Sequence, residues 1–230
     1  MGHRRHHGHH HQRGLSLVEL LVGSAVGLIV AAVATSVVSA NLRENRQLQT
    51  EARLMQDLRS AADLIARDLR RAGYWAAAAS GVRGADGTAP AVNPYSADAV
   101  DAAASDAIGL IFSRDAVENG SVDDSERFGF RLRAGAVEIQ LGLGNWQALT
   151  DAGTLVVTAF RVEPRSDEVS LAAFCERSCA ASGASCPPRQ LVRSFAVTLA
   201  ARSARDAAVT RSLQSSVRLR NDAVLGSCAG

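Results

Sequence analysis

Three hydrophobic patterns divide the chain. Leu15 to Val38, LSLVELLVGSAVGLIVAAVATSVV, is apolar all round and carries one charge, Glu19. Its 24 residues give a helix of about 36 Å at 1.5 Å per residue, enough to cross a hydrocarbon layer of roughly 30 Å. From Asn41 the pattern becomes amphipathic. Leu54, Leu58, Ala61, Ile65, Leu69 and Ala72 recur at three- and four-residue spacing, which predicts one buried helical stripe. Arg53, Asp57, Arg59, Asp63, Arg67, Asp68 and Arg70 lie between them. Asp63 precedes Arg67 by four, the favourable order for a helical ion pair. Neither Pro nor Gly interrupts the stretch before Gly73, where the helix is predicted to stop. One helix of about 87 Å over 15–72 is therefore expected.

Residues 76–105 are rich in Ala, Gly, Ser, Asp and Pro and read as a long irregular connection. From Ala107 the period falls to two. Strands are predicted at Ala107–Phe112, Phe128–Leu132, Val137–Leu141, Thr154–Val162, Val169–Phe174, Leu191–Ala201 and Ala208–Leu219. The short Ser203–Asp206 link predicts a hairpin between the last two. The expected fold is α+β: an antiparallel sheet packed on the amphipathic half of the helix. Phe128, Phe130, Trp146, Phe160 and Phe195 are expected in its core. Aromatics are only 4% of the chain, which leaves few for a binding platform.

Composition narrows the chemistry. The net charge is +2 and there is no lysine; all 25 basic residues are arginine. The six histidines, His3, His6, His7, His9, His10 and His11, lie in the first eleven residues. The body thus lacks the commonest general base and nitrogen metal ligand, and Ser-His-Asp and Cys-His sites are excluded. An enzyme is the less favoured class, and no cofactor is expected.

The N-terminal region carries the strongest signal. Residues 1–14, MGHRRHHGHHHQRG, contain three arginines and no acid, which places that end of a spanning helix in the cytoplasm and the body outside the inner membrane. The apolar run is longer than a signal-peptide core. A carboxylate inside it costs about 2.5–3.5 kcal/mol on insertion scales, so Glu19 calls for a partner. The stretch Arg13-Gly14-Leu15-Ser16-Leu17-Val18-Glu19-Leu20 resembles the type IV prepilin cleavage and methylation motif. The resemblance implies cleavage between Gly14 and Leu15 by a membrane peptidase, N-methylation of Leu15, and Glu19 as the fifth residue of the mature chain. Leu15 departs from the phenylalanine commoner at that place. Glu19 would meet the N-terminal amine of a neighbouring subunit, or of its own chain one turn away; each charge is cheaper paired than alone. Gly23, Gly27 and Ala31, at four-residue spacing, form a stripe suited to close helix packing; glycine and alanine are also simply frequent in such helices.

The segment Ile65 to Trp75, IARDLRRAGYW, resembles the end of the long helix in PilW-like minor pilins, with the J-class pseudopilin of type II secretion a close relative. The alanines after Trp75 depart from the glycine often found there. The resemblance covers about Arg13 to Trp75. It implies a leader at 1–14, a pilin helix at 15–73 with 15–38 transmembrane, an αβ-loop at 74–106 and a β head at 107–230. The mature chain would have 22 arginines and 23 acids.

Cys175, Cys179, Cys186 and Cys228 do not have zinc-site spacing. In an exported domain two disulfides are expected. Three connectivities are possible; one bond inside 175–186 and another tying Cys228 back is the preferred reading. Such bonds serve stability, or stiffen a contact surface. Asp123, Asp124 and Glu126 lack the EF-hand order and are expected as a solvated loop, with no metal site.

The expected function is that of a minor pilin that primes type IV pilus assembly at the tip. Its partners would be other minor and major pilins, prepilin peptidase and the inner-membrane assembly platform, without direct nucleic-acid contact. It would lie in the inner membrane with a periplasmic head, then in the pilus at the cell surface. A J-type pseudopilin is the nearest alternative, and an uncut membrane-anchored binding domain the alternative from another class.

Overall fold

The computed structural model describes residues 16–81, 88–96, 99–102, 106–115, 117–179 and 185–229. The chain divides into two units, residues 1–48 and 49–230. The helix α1, Leu17–Arg71, runs through both.

In the first unit the described residues are helical from Leu17 onward and exposed throughout. Leu17 is 74% exposed, Leu28 72% and Ile29 64%. A helix apolar on every face and covered by none of the other described residues is suited to a lipid environment. Among the described residues it is the one helix long and apolar enough to cross a membrane.

In the second unit α1 becomes amphipathic and buries Leu54, Leu58, Ala61, Ile65 and Leu69. It ends at Arg71, and Gly73 adopts φ +74°. A side chain at Gly73 would meet Ala99 Cβ at 3.2 Å, so both conformation and space favour glycine. Its N–H donates to the Ile111 carbonyl (2.8 Å), and its carbonyl accepts from Asn93 Nδ2 (3.1 Å). The helix end is thereby joined to the strand layer.

Two antiparallel sheets follow, where one had been expected from the alternation. The first contains β1 (Val100–Asp101), β2 (Ala107–Ile111), β3 (Arg127–Arg133), β4 (Ala136–Leu141) and β5 (Trp146–Ala148), paired in sequence order. The β3–β4 hairpin turns through Ala134 and Gly135, both at positive φ, the geometry that matches strand twist. The second sheet contains β6 (Leu155–Ser170), β7 (Arg189–Ser203), β8 (Thr210–Arg218) and β9 (Ala223–Leu225). β7 is its centre, pairing β6 and β8 along its sides and β9 near its start. Leu58, Ile65 and Leu69 share one core with Ile108 and Phe130 of the first sheet and Phe160, Val197 and Leu199 of the second. This is a type IV pilin-like α+β architecture: a long N-terminal helix packed on antiparallel sheets.

Three local expectations are corrected. The strands expected at Thr154–Val162 and Val169 onward are one strand, β6, and Ala172–Phe174 is a 3-10 turn. The polar residues 163–168 pair with β7 although all are exposed; Pro164 is accommodated because β6 is an edge strand. Trp146 is half-buried rather than in the core, with the Arg131 guanidinium 4.0 Å from its ring centroid. Glu126, expected in solvent, is fully buried.

Candidate functional site

Of the predicted processing and assembly residues, Glu19, Gly23, Gly27 and Ala31 lie in the first part of α1. Gly14 and Leu15 lie outside the described residues, as do the six histidines. Ser16 opens the described chain, and its carbonyl accepts from the Leu20 N–H (3.1 Å). Glu19 is in the first turn of the helix and exposed. The helix N-terminus favours a carboxylate there.

Gly23, Gly27 and Ala31 follow at four-residue intervals on exposed helix. A Cβ built on Gly23 or Gly27 meets nothing within 4 Å. Their small size is therefore not demanded by packing among the described residues. The hydroxyls that punctuate the run are turned back on the backbone. Ser24 Oγ donates to Leu21 O (2.9 Å), Thr35 Oγ1 to Ala32 O (2.9 Å) and Ser36 Oγ to Val33 O (2.7 Å). These three hydroxyls are thus satisfied locally, as an apolar surround requires.

The N-terminal region matches the prokaryotic N-terminal methylation motif over residues 9–35. A second match, to prepilin peptidase-dependent protein B, spans residues 47–219, about three quarters of the chain. The chain belongs to the prepilin peptidase-dependent protein B family. It is a pilin-like protein of the type IV minor-pilin kind, and its apolar helix and methylation motif fit membrane anchoring. Neither match names PilW. Comparison with curated proteins and with solved structures returns no match.

At the opposite end of the chain the structure forms two disulfides, Cys175–Cys228 and Cys179–Cys186, with Cα separations of 5.4 and 5.8 Å. The first encloses 53 residues of separation and the second 7. Together with the β7–β9 pairing, Cys175–Cys228 fixes the C-terminal segment to the second sheet. Phe174, beside Cys175, is 82% exposed.

One network lay beyond the sequence reading. The buried Glu126 carboxylate accepts from the Tyr95 hydroxyl (2.8 Å), the Arg114 N–H (2.8 Å) and the Asp123 N–H (3.1 Å). Burial pushes its pKa upward, but the donated hydrogen bonds, led by Arg114 and Asp123, outweigh it and hold the group below its usual value. Tyr95 is pushed above the usual phenol range, first by burial and then by its hydrogen bond to Glu126. Carboxylate oxygens of Asp115, Asp123 and Glu126 lie within 4.8 Å of one another. Glu126 has both oxygens occupied by protein donors, so its role is to pin the connection after α1 to the first sheet. Tyr95 and Glu126 are 31 residues apart, and no local spacing announces such a pair.

Proposed function

We propose that the chain is a PilW-like minor pilin that primes type IV pilus assembly. On this reading, prepilin peptidase removes residues 1–14 and Leu15 becomes the N-methylated terminus. Residues 15–38 hold the subunit in the inner membrane, with a periplasmic head beyond residue 106. The subunit then leaves the bilayer with other pilins, as part of an initiating complex at the filament tip. Its chemistry is assembly rather than turnover. Glu19 is matched by the terminal amine of a neighbouring subunit, and Gly23, Gly27 and Ala31 let another helix approach closely.

The observation that carries the proposal is the methylation motif at the head of an apolar helix that the other described residues leave uncovered. Gly23 and Gly27, where an added Cβ would meet nothing within 4 Å among the described residues, add support. The test is deletion of the gene in its own host, with surface filaments and type II secretion scored side by side. Loss of filaments, restored by the full-length gene, is expected. Unchanged filaments with loss of secretion would overturn the pilus role in favour of a J-type pseudopilin.

A further inference from the structure

The last turns of α1 carry a charge pattern that the preceding turns lack. Arg53, Asp57, Arg59 and Asp63 alternate in sign on the exposed helix. Arg67, Arg70, Arg71 and Tyr74 then follow at i, i+3, i+4 and i+7. The spacing of the three arginines places them on one face of the helix; Tyr74 lies past the helix end, beyond Gly73, and all four are exposed. Arg220, just beyond β8, comes from a distant part of the chain to the same place. Together with Asn221 these residues line a cleft of about 520 Å³.

The cleft has fixed walls. Asn221 Nδ2 donates to the Ala72 carbonyl (3.0 Å), and Arg193 Nη2 donates to the Asn221 carbonyl (3.1 Å). The Arg71 guanidinium lies 4.3 Å from the centroid of the Phe112 ring. Asp68 is buried and accepts from Arg67 Nε at 3.1 Å. Asp222, next to Asn221, is engaged with Arg218 (2.8 Å) and Gln190 (2.7 Å). Among the described residues, Arg70 and Arg220 form no ion pair. Basic residues near a helix C-terminus complement its dipole. That accounts for Arg70 and Arg71, but not for Arg220, and Asn221 already satisfies the carbonyl of Ala72.

We propose that this cleft binds an acidic segment of a partner protein. The carboxylates would be gripped by Arg70 and Arg220, and Tyr74 would supply an apolar wall. Guanidinium groups suit carboxylates because two parallel N–H donors match two oxygens. A phosphate polymer fits the surroundings less well. Arg114 lines the adjoining groove with Arg67, Asp68 and Arg71, and the chain runs on from it into an acidic loop tied back by the Arg114 N–H to Glu126 bond. Asp115, Glu118, Asp123 and Asp124 follow there, so a long polyanion would run into like charge. A short acidic segment needs only the cleft. The inference is independent of the assembly role, because it concerns binding by the isolated protein.

The test uses the full chain in uncharged detergent micelles, with labelled hexaglutamate, hexaglutamine and single-stranded oligothymidylate as probes. Hexaglutamate should bind in a salt-sensitive way and hexaglutamine should not. The double substitution Arg70→Gln, Arg220→Gln should weaken hexaglutamate at least about tenfold. The exposed pair Arg161→Gln, Arg165→Gln on β6 should leave it unchanged. Matching thermal midpoints would establish that both variants are folded. Absence of hexaglutamate binding, or equal loss in both variants, would overturn the proposal. Oligothymidylate bound more tightly than hexaglutamate through Arg70 and Arg220 would overturn it too, assigning the cleft to nucleic acid.

Discussion

Glu126 accepts hydrogen bonds from one phenol and two backbone N–H groups while fully buried. Its pKa is held below the ordinary value of 4.5, so the folded state favours the ionised form. A depressed carboxyl contributes stability that is present above the unfolded pKa and lost as pH falls through the folded one. Glu126→Gln removes that contribution and is expected to destabilise by about 1–3 kcal/mol near neutral pH. The gap in thermal midpoint between wild type and variant should narrow as pH falls below about 4.5. A gap that stayed constant with pH would show that the charge is not what the site uses. Glu19 poses a different question at this scale. It is exposed within its own chain, so Glu19→Ala should leave the unfolding free energy of the head within about 0.5 kcal/mol of wild type. If the assembly reading holds, the same substitution abolishes complementation of a deletion strain. Full complementation by Glu19→Ala would remove the residue from the assembly mechanism.

At the scale of elements, two joints hold the second unit together. Gly73 ends α1 in a left-handed conformation beside Ala99. Gly73→Ala should cost at least about 1 kcal/mol, measurable by denaturant titration, while Ala→Gly at Ala134 (φ +50°) should relieve strain of about 1 kcal/mol. The second joint is Cys175–Cys228. Closing a loop of this length limits the unfolded chain by about 4 kcal/mol in the loop-entropy account. Cys228→Ser should therefore lower stability more than Cys179→Ser, whose bridge spans a short loop. Equal losses would indicate that strain or residual structure, rather than loop length, governs both.

The elements differ in how far the sequence reveals them. The helix and its stop were readable because Leu54 to Ala72 keep one period and Gly73 breaks it. The division of strands between two sheets was not, because alternation gives a strand's faces but not its neighbours. β5 and β9 have three residues each, too few for a period. The outer half of β6 was hidden because Glu163 to Glu168 carry no apolar alternation and include Pro164; backbone pairing with β7, rather than burial, holds them in the strand. Arg67 and Arg70 read in the sequence only as charges between the apolar positions, and Arg220 joins them only through the fold.

At the scale of the whole molecule, one chain joins two chemically different parts. Residues 16–38 expose apolar side chains on every side, and the second unit has a closed core of its own. The prepilin peptidase-dependent family match covers most of that second unit, and the methylation motif covers the start of the first. The central claim is that these parts serve one purpose: the N-terminus is processed so that the helix can enter a filament. The most direct test is mass spectrometry of the N-terminal peptide, taken from membranes with and without prepilin peptidase. The account predicts a peptide beginning at N-methylated Leu15 only when the peptidase is present. An intact leader in both membranes, or cleavage further downstream, would contradict it.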